Sequence, residues 1–182
     1  MKGIVLCFVL VKIVIHVWLI EKFGLHSDEL YFIECARNLA PGYVDHGPVV
    51  VWIAWLAGQI SGFSALSLRL PSVLAGAATI WVTLNLVREF GGGKRALTIT
   101  GVALILAPAY LRMKKMLHIP PFEALLWTML AFLAVRIVKE PPSDSGNRKW
   151  LALGLLLGLA LLTKVTVIAW SVGFLIGLAW AR

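Results

Sequence analysis

The sequence predicts an all-α integral membrane protein, with about six transmembrane helices and one or two surface helices in the first outer loop. Three observations lead there. Apolar residues make up 60% of the 182-residue chain and charged residues only 14%, against roughly 25% in a soluble domain. Mean hydropathy is +0.88. Apolar runs of about 20 residues recur along the whole length, each able to cross a hydrocarbon core about 30 Å thick.

The first span is expected over residues 3–20. It reads as a retained helix and not as a cleaved signal, because no small-x-small cleavage site follows it and further spans come after. Lys12 and His16 stand four apart and share a face. A cation this deep should meet protein or water instead of lipid, either by snorkelling with a structural hydrogen bond or as part of a substrate site. Residues 21–48 are polar. Ser27 suits an N-cap, and Asp28 and Glu29 then fall in the positive first turn. This helix would run to Ala40 and stop at Pro41-Gly42. Asp28, Tyr31, Cys35 and Asn38 form one stripe of it and Phe32, Ala36 and Leu39 another, which suits a helix lying on the membrane. Adjacent residues point about 100° apart on a helix, so Asp28 and Glu29 are expected to do different jobs. A second surface helix starts after Pro48, with Trp52 and Trp55 at headgroup level.

Span two is expected over residues 66–87, entered through Arg69-Leu70-Pro71. The basic turn 91–95 leads to span three at 96–110, the basic segment 111–121 to span four at 122–138, and a Pro/Ser/Asp/Gly loop at 139–149 to spans five (150–162) and six (165–180), with Lys164 between the last two. With the N-terminus cytoplasmic, the inner side carries nine cations against three acids and the outer side seven against six, as the positive-inside rule requires. The net charge of +8 is thus a membrane signature. No basic stripe interleaved with aromatics points to nucleic acid. Cys7 and Cys35 indicate neither a disulfide nor a metal site. The outer side, however, carries both signs close to the bilayer. A plain anchor does not need that; an enzyme acting on an anionic lipid does.

The pieces Asp28-Glu29-Leu30-Tyr31, Ala36-Arg37-Asn38-Leu39-Ala40-Pro41-Gly42-Tyr43, Asp45-His46-Gly47-Pro48 and Leu68-Arg69-Leu70-Pro71-Ser72 stand in an order that resembles the N-terminal part of the GT-C membrane glycosyltransferases. The similarity is to the bacterial relatives of dolichyl-phosphate-mannose protein mannosyltransferases and of lipid A aminoarabinose transferases. Phe122-Glu123-Ala124-Leu125-Leu126-Trp127 and Gly158-Leu159-Ala160-Leu161-Leu162-Thr163-Lys164 extend it over nearly the whole chain. The resemblance implies a transferase that takes a sugar from a polyprenyl-phosphate donor in the cell inner or plasma membrane, with its site facing outward and an envelope lipid, glycan or protein as acceptor. It implies Asp28 as the base or the acceptor-positioning group, and Asp45 and His46 as contacts to a divalent metal or the donor phosphate. Glu29, Tyr31, Arg69, Lys114, Lys115, Glu123 and Lys164 are the further substrate-binding candidates. The chain departs from the family pattern at Gly47, where a proline is usual, and at Glu123, where Asp is usual. GT-C enzymes have more spans than this chain, so residues 1–182 are expected to form a single N-terminal membrane module that works with a C-terminal half or a partner subunit.

The chemistry agrees with that mapping. An acceptor hydroxyl needs a positioned base. A leaving polyprenyl phosphate needs a cation or metal. Transfer with inversion requires one base and one charge clamp, not the two flanking carboxylates of hydrolysis. The rivals are a non-catalytic subunit or truncated inactive relative, and a small transporter component. A transporter would place its ionisable groups near mid-membrane, where this chain has only Lys12 and His16.

Overall fold

The first apolar run folds as α1 (Lys2–Leu19), which passes into a 3₁₀ turn, Ile20–Lys22. A computed structural model of the chain describes residues 1–22, 24–108, 116–139 and 144–180. Next comes α2 (Ser27–Arg37). Its N-cap is His26 and not the expected Ser27. The His26 imidazole accepts from Asp28 N, and the Glu29 carboxylate accepts from His26 N, a reciprocal capping box. The helix also stops short of Ala40. Tyr43 Oη lies 3.2 Å from the carbonyls of Cys35 and Asn38 as a donor and accepts from Ala40 N at 3.0 Å, so a side chain takes over the last turn before Pro41 is reached.

The second surface helix, α3 (Val49–Ser61), begins where expected. Val50, Val51, Ala54 and Ala57 pack on Phe32, Ile33 and Ala36 of α2, while Trp52, Trp55 and Ile60 stay exposed on other faces. It ends at Gly62 in the left-handed region, φ +64°. Phe63 follows at φ +61°, and its ring closes on Gly58 so tightly that a Cβ there would fall 2.4 Å from it.

Ser64 caps α4 (Ala65–Glu89), whose 25 residues carry Pro71 inside. Val5 of α1 packs with Ile80 and Leu84 of α4 and with Leu97 and Ile105 of α5 (Lys94–Leu106). The Phe8 ring sits where a Cβ on Gly101 would be, 2.4 Å away. At 13 residues, α5 is about 20 Å long and ends before the expected limit at 110, whose neighbourhood lies outside the described residues. The next helix, α6 (Ile119–Lys139), starts earlier than expected. Pro120 and Pro121 occupy its first turn, where a missing N–H leaves no intrahelical bond unmade. The described residues of the expected loop at 139–149 are helical: α6 reaches Lys139, and α7 (Asp144–Thr163) begins at Asp144. Last is α8 (Val167–Trp180). Leu126 and Leu130 of α6, Leu153 and Ala160 of α7 and Val167 of α8 share a third core.

Among the described residues the fold is helical, with no strand. Helices α1, α4 and α6 are each long and apolar enough to cross a membrane. α4 runs antiparallel to α1 but parallel to α6, so two ends can be distinguished. At one end lie the 3₁₀ turn, α2, α3, residues 116–118, the starts of α4 and α6 and the α7–α8 turn. At the other, Arg136 and Lys139 of α6 meet Glu89 at the end of α4.

Candidate active site

The step of about 100° along α2 separates its two adjacent acids, Asp28 and Glu29. Glu29 points inward and is fully buried; Asp28 points outward with its side chain 52% exposed. Glu29 meets Arg69, also buried, in a two-pronged ion pair: Nε donates to Oε1 at 2.8 Å and Nη2 to Oε2 at 2.7 Å. His26 N (2.9 Å) and Leu117 N (3.2 Å) complete the carboxylate. Arg69 also donates to the carbonyls of Ile20 and Gly24. Burial alone would raise the Glu29 carboxyl. The Arg69 hydrogen bonds, the His26 and Leu117 N–H groups and the Arg69 charge outweigh it, and the net shift is below the usual carboxylate value. One pair thus ties α2, the end of α1, the start of α4 and the lead into α6. Both residues were expected to meet substrate; the structure turns them on each other.

Asp28 stands next to the half-exposed His26 imidazole, Nδ1 to Oδ2 3.7 Å. Leu117, held by Glu29, brings His118 into the same charged surroundings. Burial lowers the His118 imidazole from its ordinary value, against the opposing pull of the Asp28 and Glu29 charges and with a small push from His26. Its Nδ1 is buried and makes no hydrogen bond among the described residues. His118 was not among the expected site residues. Its only sequence signal is a histidine two residues before the Pro120-Pro121 pair.

A second group forms around the 43–48 turn. Tyr31 Oη donates to Asp45 Oδ1 at 3.0 Å. Desolvation and that bond raise the Tyr31 phenol above its ordinary value. His46 is enclosed by the rings of Tyr31, Phe32 and Tyr43, with centroids 5.0–5.7 Å away. Its Nδ1 bonds the Gly47 carbonyl at 2.8 Å, and its Nε2 lies 3.7 Å from Asp45. With 1% of its side chain exposed, and its Nε2 buried without a hydrogen bond among the described residues, His46 packs inside the turn and presents little to a phosphate. Gly47 has a specific reason to lack a side chain: a Cβ there would fall 1.9 Å from the Leu162 carbonyl oxygen at the end of α7. The departure from proline noted in the sequence is therefore a close helix-to-turn contact.

That contact leads to a third group. Glu123 faces Lys164 (Oε2 to Nζ 3.7 Å) and accepts a hydrogen bond from Thr166, joining α6 to the α7–α8 turn. Thr166 carries no sequence pattern that would single it out. Lys114 and Lys115 lie outside the described residues. Among the described residues no three His, Cys, Asp or Glu side chains gather as a metal would need. Asp45 with one imidazole nearby suits an ion of the magnesium type only if substrate phosphate oxygens complete the shell.

Deeper in the protein, Lys12 and His16 are both buried. His16 Nδ1 donates to the Lys12 carbonyl at 3.0 Å, so Nε2, 2.7 Å from Lys12 Nζ, is the acceptor. The pair faces protein and does not snorkel.

The sequence profile of the family described as dolichyl-phosphate-mannose-protein mannosyltransferase matches residues 45–182, from Asp45 through α8. Helix α2 precedes the matched stretch. No curated protein and no solved structure gives a significant match to the chain.

Proposed function

The chain belongs to the dolichyl-phosphate-mannose-protein mannosyltransferase family, and from that premise we propose that it is a GT-C type glycosyltransferase moving a sugar from a polyprenyl-phosphate-sugar donor to an envelope lipid, glycan or protein on the outer face of the membrane. The observation that carries this reading is the split of the acidic pair. Glu29 is locked into a buried brace with Arg69, and that brace holds Asp28 outward as a carboxylate on a rigid first turn.

In the proposed reaction Asp28 accepts the proton of the acceptor hydroxyl as the oxygen attacks the sugar. The bond from the sugar to the phosphate oxygen breaks, and its electron pair leaves with the polyprenyl phosphate. The developing charge calls for a cation. Arg69 is committed to Glu29. Of the donor-facing cations expected from the sequence, Lys164 is the described one that reaches solvent, its side chain 38% exposed and shared with Glu123; Lys114 and Lys115 remain the other candidates. Outward orientation is supported by the inner excess of cations in the sequence.

The test is Asp28→Asn in the complete enzyme, assayed by transfer of label from a polyprenyl-phosphate sugar. A general base contributes about 10²–10⁴-fold, so transfer should fall by at least about 10² while thermal stability stays near wild type. If Asp28 only favours the helix dipole, stability drops slightly and transfer persists; that result removes the assignment of the base.

A further inference from the structure

At the end of the bundle away from Asp28, α1 and α4 enclose a cleft of about 310 Å³. Its walls are Val5, Leu6 and Val9 on one side and the half-exposed Trp81 ring on the other. Its rim is Lys2 and Arg88, with Asn85 between. The lower part is apolar and lies within two helices that are long enough to span a bilayer; the rim is cationic and lies where they leave it.

The rim is held in place. Asn85 Nδ2 donates to the Trp81 carbonyl at 2.8 Å, which turns Oδ1 outward to accept from Arg88 Nη1 at 3.0 Å. That contact uses one side of the guanidinium and leaves its Nη2 and Nε hydrogens for an anion. Among the described residues no carboxylate lies within ion-pair distance of Arg88 or Lys2. The nearest acid in sequence, Glu89, is turned to Arg136 at 3.8 Å. An adjoining polar recess, lined by Asn85, Arg88, Glu89 and the Gly91–Gly93 turn, gives a headgroup room beside the phosphate.

We infer that this cleft binds one anionic phospholipid, its phosphate between Lys2 and Arg88 and one acyl chain along Val5, Val9 and Trp81. Charge complementarity selects the occupant. A neutral apolar partner leaves two unpaired cations on the rim, and a soluble anion leaves the apolar wall unfilled. Basic pockets between spans that are lined in this way suit acidic headgroups.

The experiment is native mass spectrometry of the whole protein released from micelles containing phosphatidylglycerol or phosphatidylcholine of the same chains. One phosphatidylglycerol is expected to stay bound to wild type. Arg88→Gln should weaken its retention about tenfold, as for loss of a charge-assisted hydrogen-bonded contact. Lys94→Gln, an equal charge change at the same end but outside the cleft, should leave it unchanged. Equal retention of phosphatidylcholine, or an equal loss in Lys94→Gln, overturns the site in favour of diffuse headgroup attraction. A second readout leaves the rim intact: in bilayers doped with brominated phosphatidylglycerol, the share of fluorescence lost in Trp81→Phe should be quenched more than with brominated phosphatidylcholine. Equal quenching by the two lipids also refutes the proposal.

Discussion

Replacing Arg69 by Met tests the brace most directly. Arg69 is 3% exposed and Glu29 is 0% exposed, so little solvent screens the pair. The substitution removes two of the four N–H groups bound to the Glu29 carboxylate and leaves the carbonyls of Ile20 and Gly24 without their donor. Breaking a buried pair from one side costs about 3–5 kcal/mol, because the remaining charge is stranded. At about 2–4 °C per kcal/mol the midpoint of thermal unfolding in detergent should fall by roughly 6–20 °C. Glu29→Gln should sit at the low end of that range: it keeps the shape, and Arg69 keeps both carbonyls. Glu29→Leu combined with Arg69→Met should lose less than the two single changes added together, by about 1 kcal/mol or more. The pH dependence has a fixed sign. The folded Glu29 carboxyl titrates below its ordinary value of 4.5, so its contribution is whole above that pH and is lost as pH falls through the lower folded value. The gap between wild type and Glu29→Gln should be constant near neutrality and close in acid. Single-variant losses under about 1 kcal/mol, the range of exposed pairs, would show that Glu29 is open to solvent and free to meet substrate.

The other expectations are smaller or more local. Gly47→Ala puts a Cβ 1.9 Å from the Leu162 carbonyl oxygen; the backbone must move, and overpacking of this kind costs about 1–3 kcal/mol, readable as a lowered unfolding midpoint, whereas an unchanged midpoint would mean that turn and α7 are not in contact. Glu123→Gln should cost no more than about 1 kcal/mol, since its partner Lys164 is partly exposed; a larger loss would make this pair a second brace and not a candidate donor contact. The His118 imidazole is held below its ordinary 6.5, so it stays neutral at neutral pH, and any stability that it contributes is lost as pH falls through the folded value. A ¹⁵N-histidine spectrum that shows a protonated His118 ring at neutral pH would contradict this.

Much of the fold was legible because membrane helices advertise themselves by length and apolarity. The starts of α1, α3 and α4 follow from runs and breakers alone. The start of α2 was off by one because His is not a favoured N-cap, yet a reciprocal bond to Glu29 makes it serve as one. Its end was misjudged because Tyr43, beyond the stop signal, takes the terminal carbonyls. For the site, the helical step alone distinguishes Asp28 from Glu29. It could not tell which of the two faced inward, since that depends on Arg69, 40 residues away. Gly47 was visible as an oddity, but its reason is the Leu162 carbonyl, a contact across more than 100 positions. His118 was hidden among cations of the same segment.

The length of α4 has a consequence for the bilayer. Arg69 and Arg88 lie near its two ends, separated along the axis by about 28 Å at 1.5 Å per residue. That spacing is close to the thickness of a typical hydrocarbon core. Arg69 cannot slide to adjust, because it is fastened to Glu29 and to the end of α1. The helix therefore acts as a gauge of fixed length. In a thinner membrane tilt accommodates the excess length, and tilting would carry α2 and Asp28 with it, so lipid chain length would set how the Asp28 side chain stands relative to the bilayer surface.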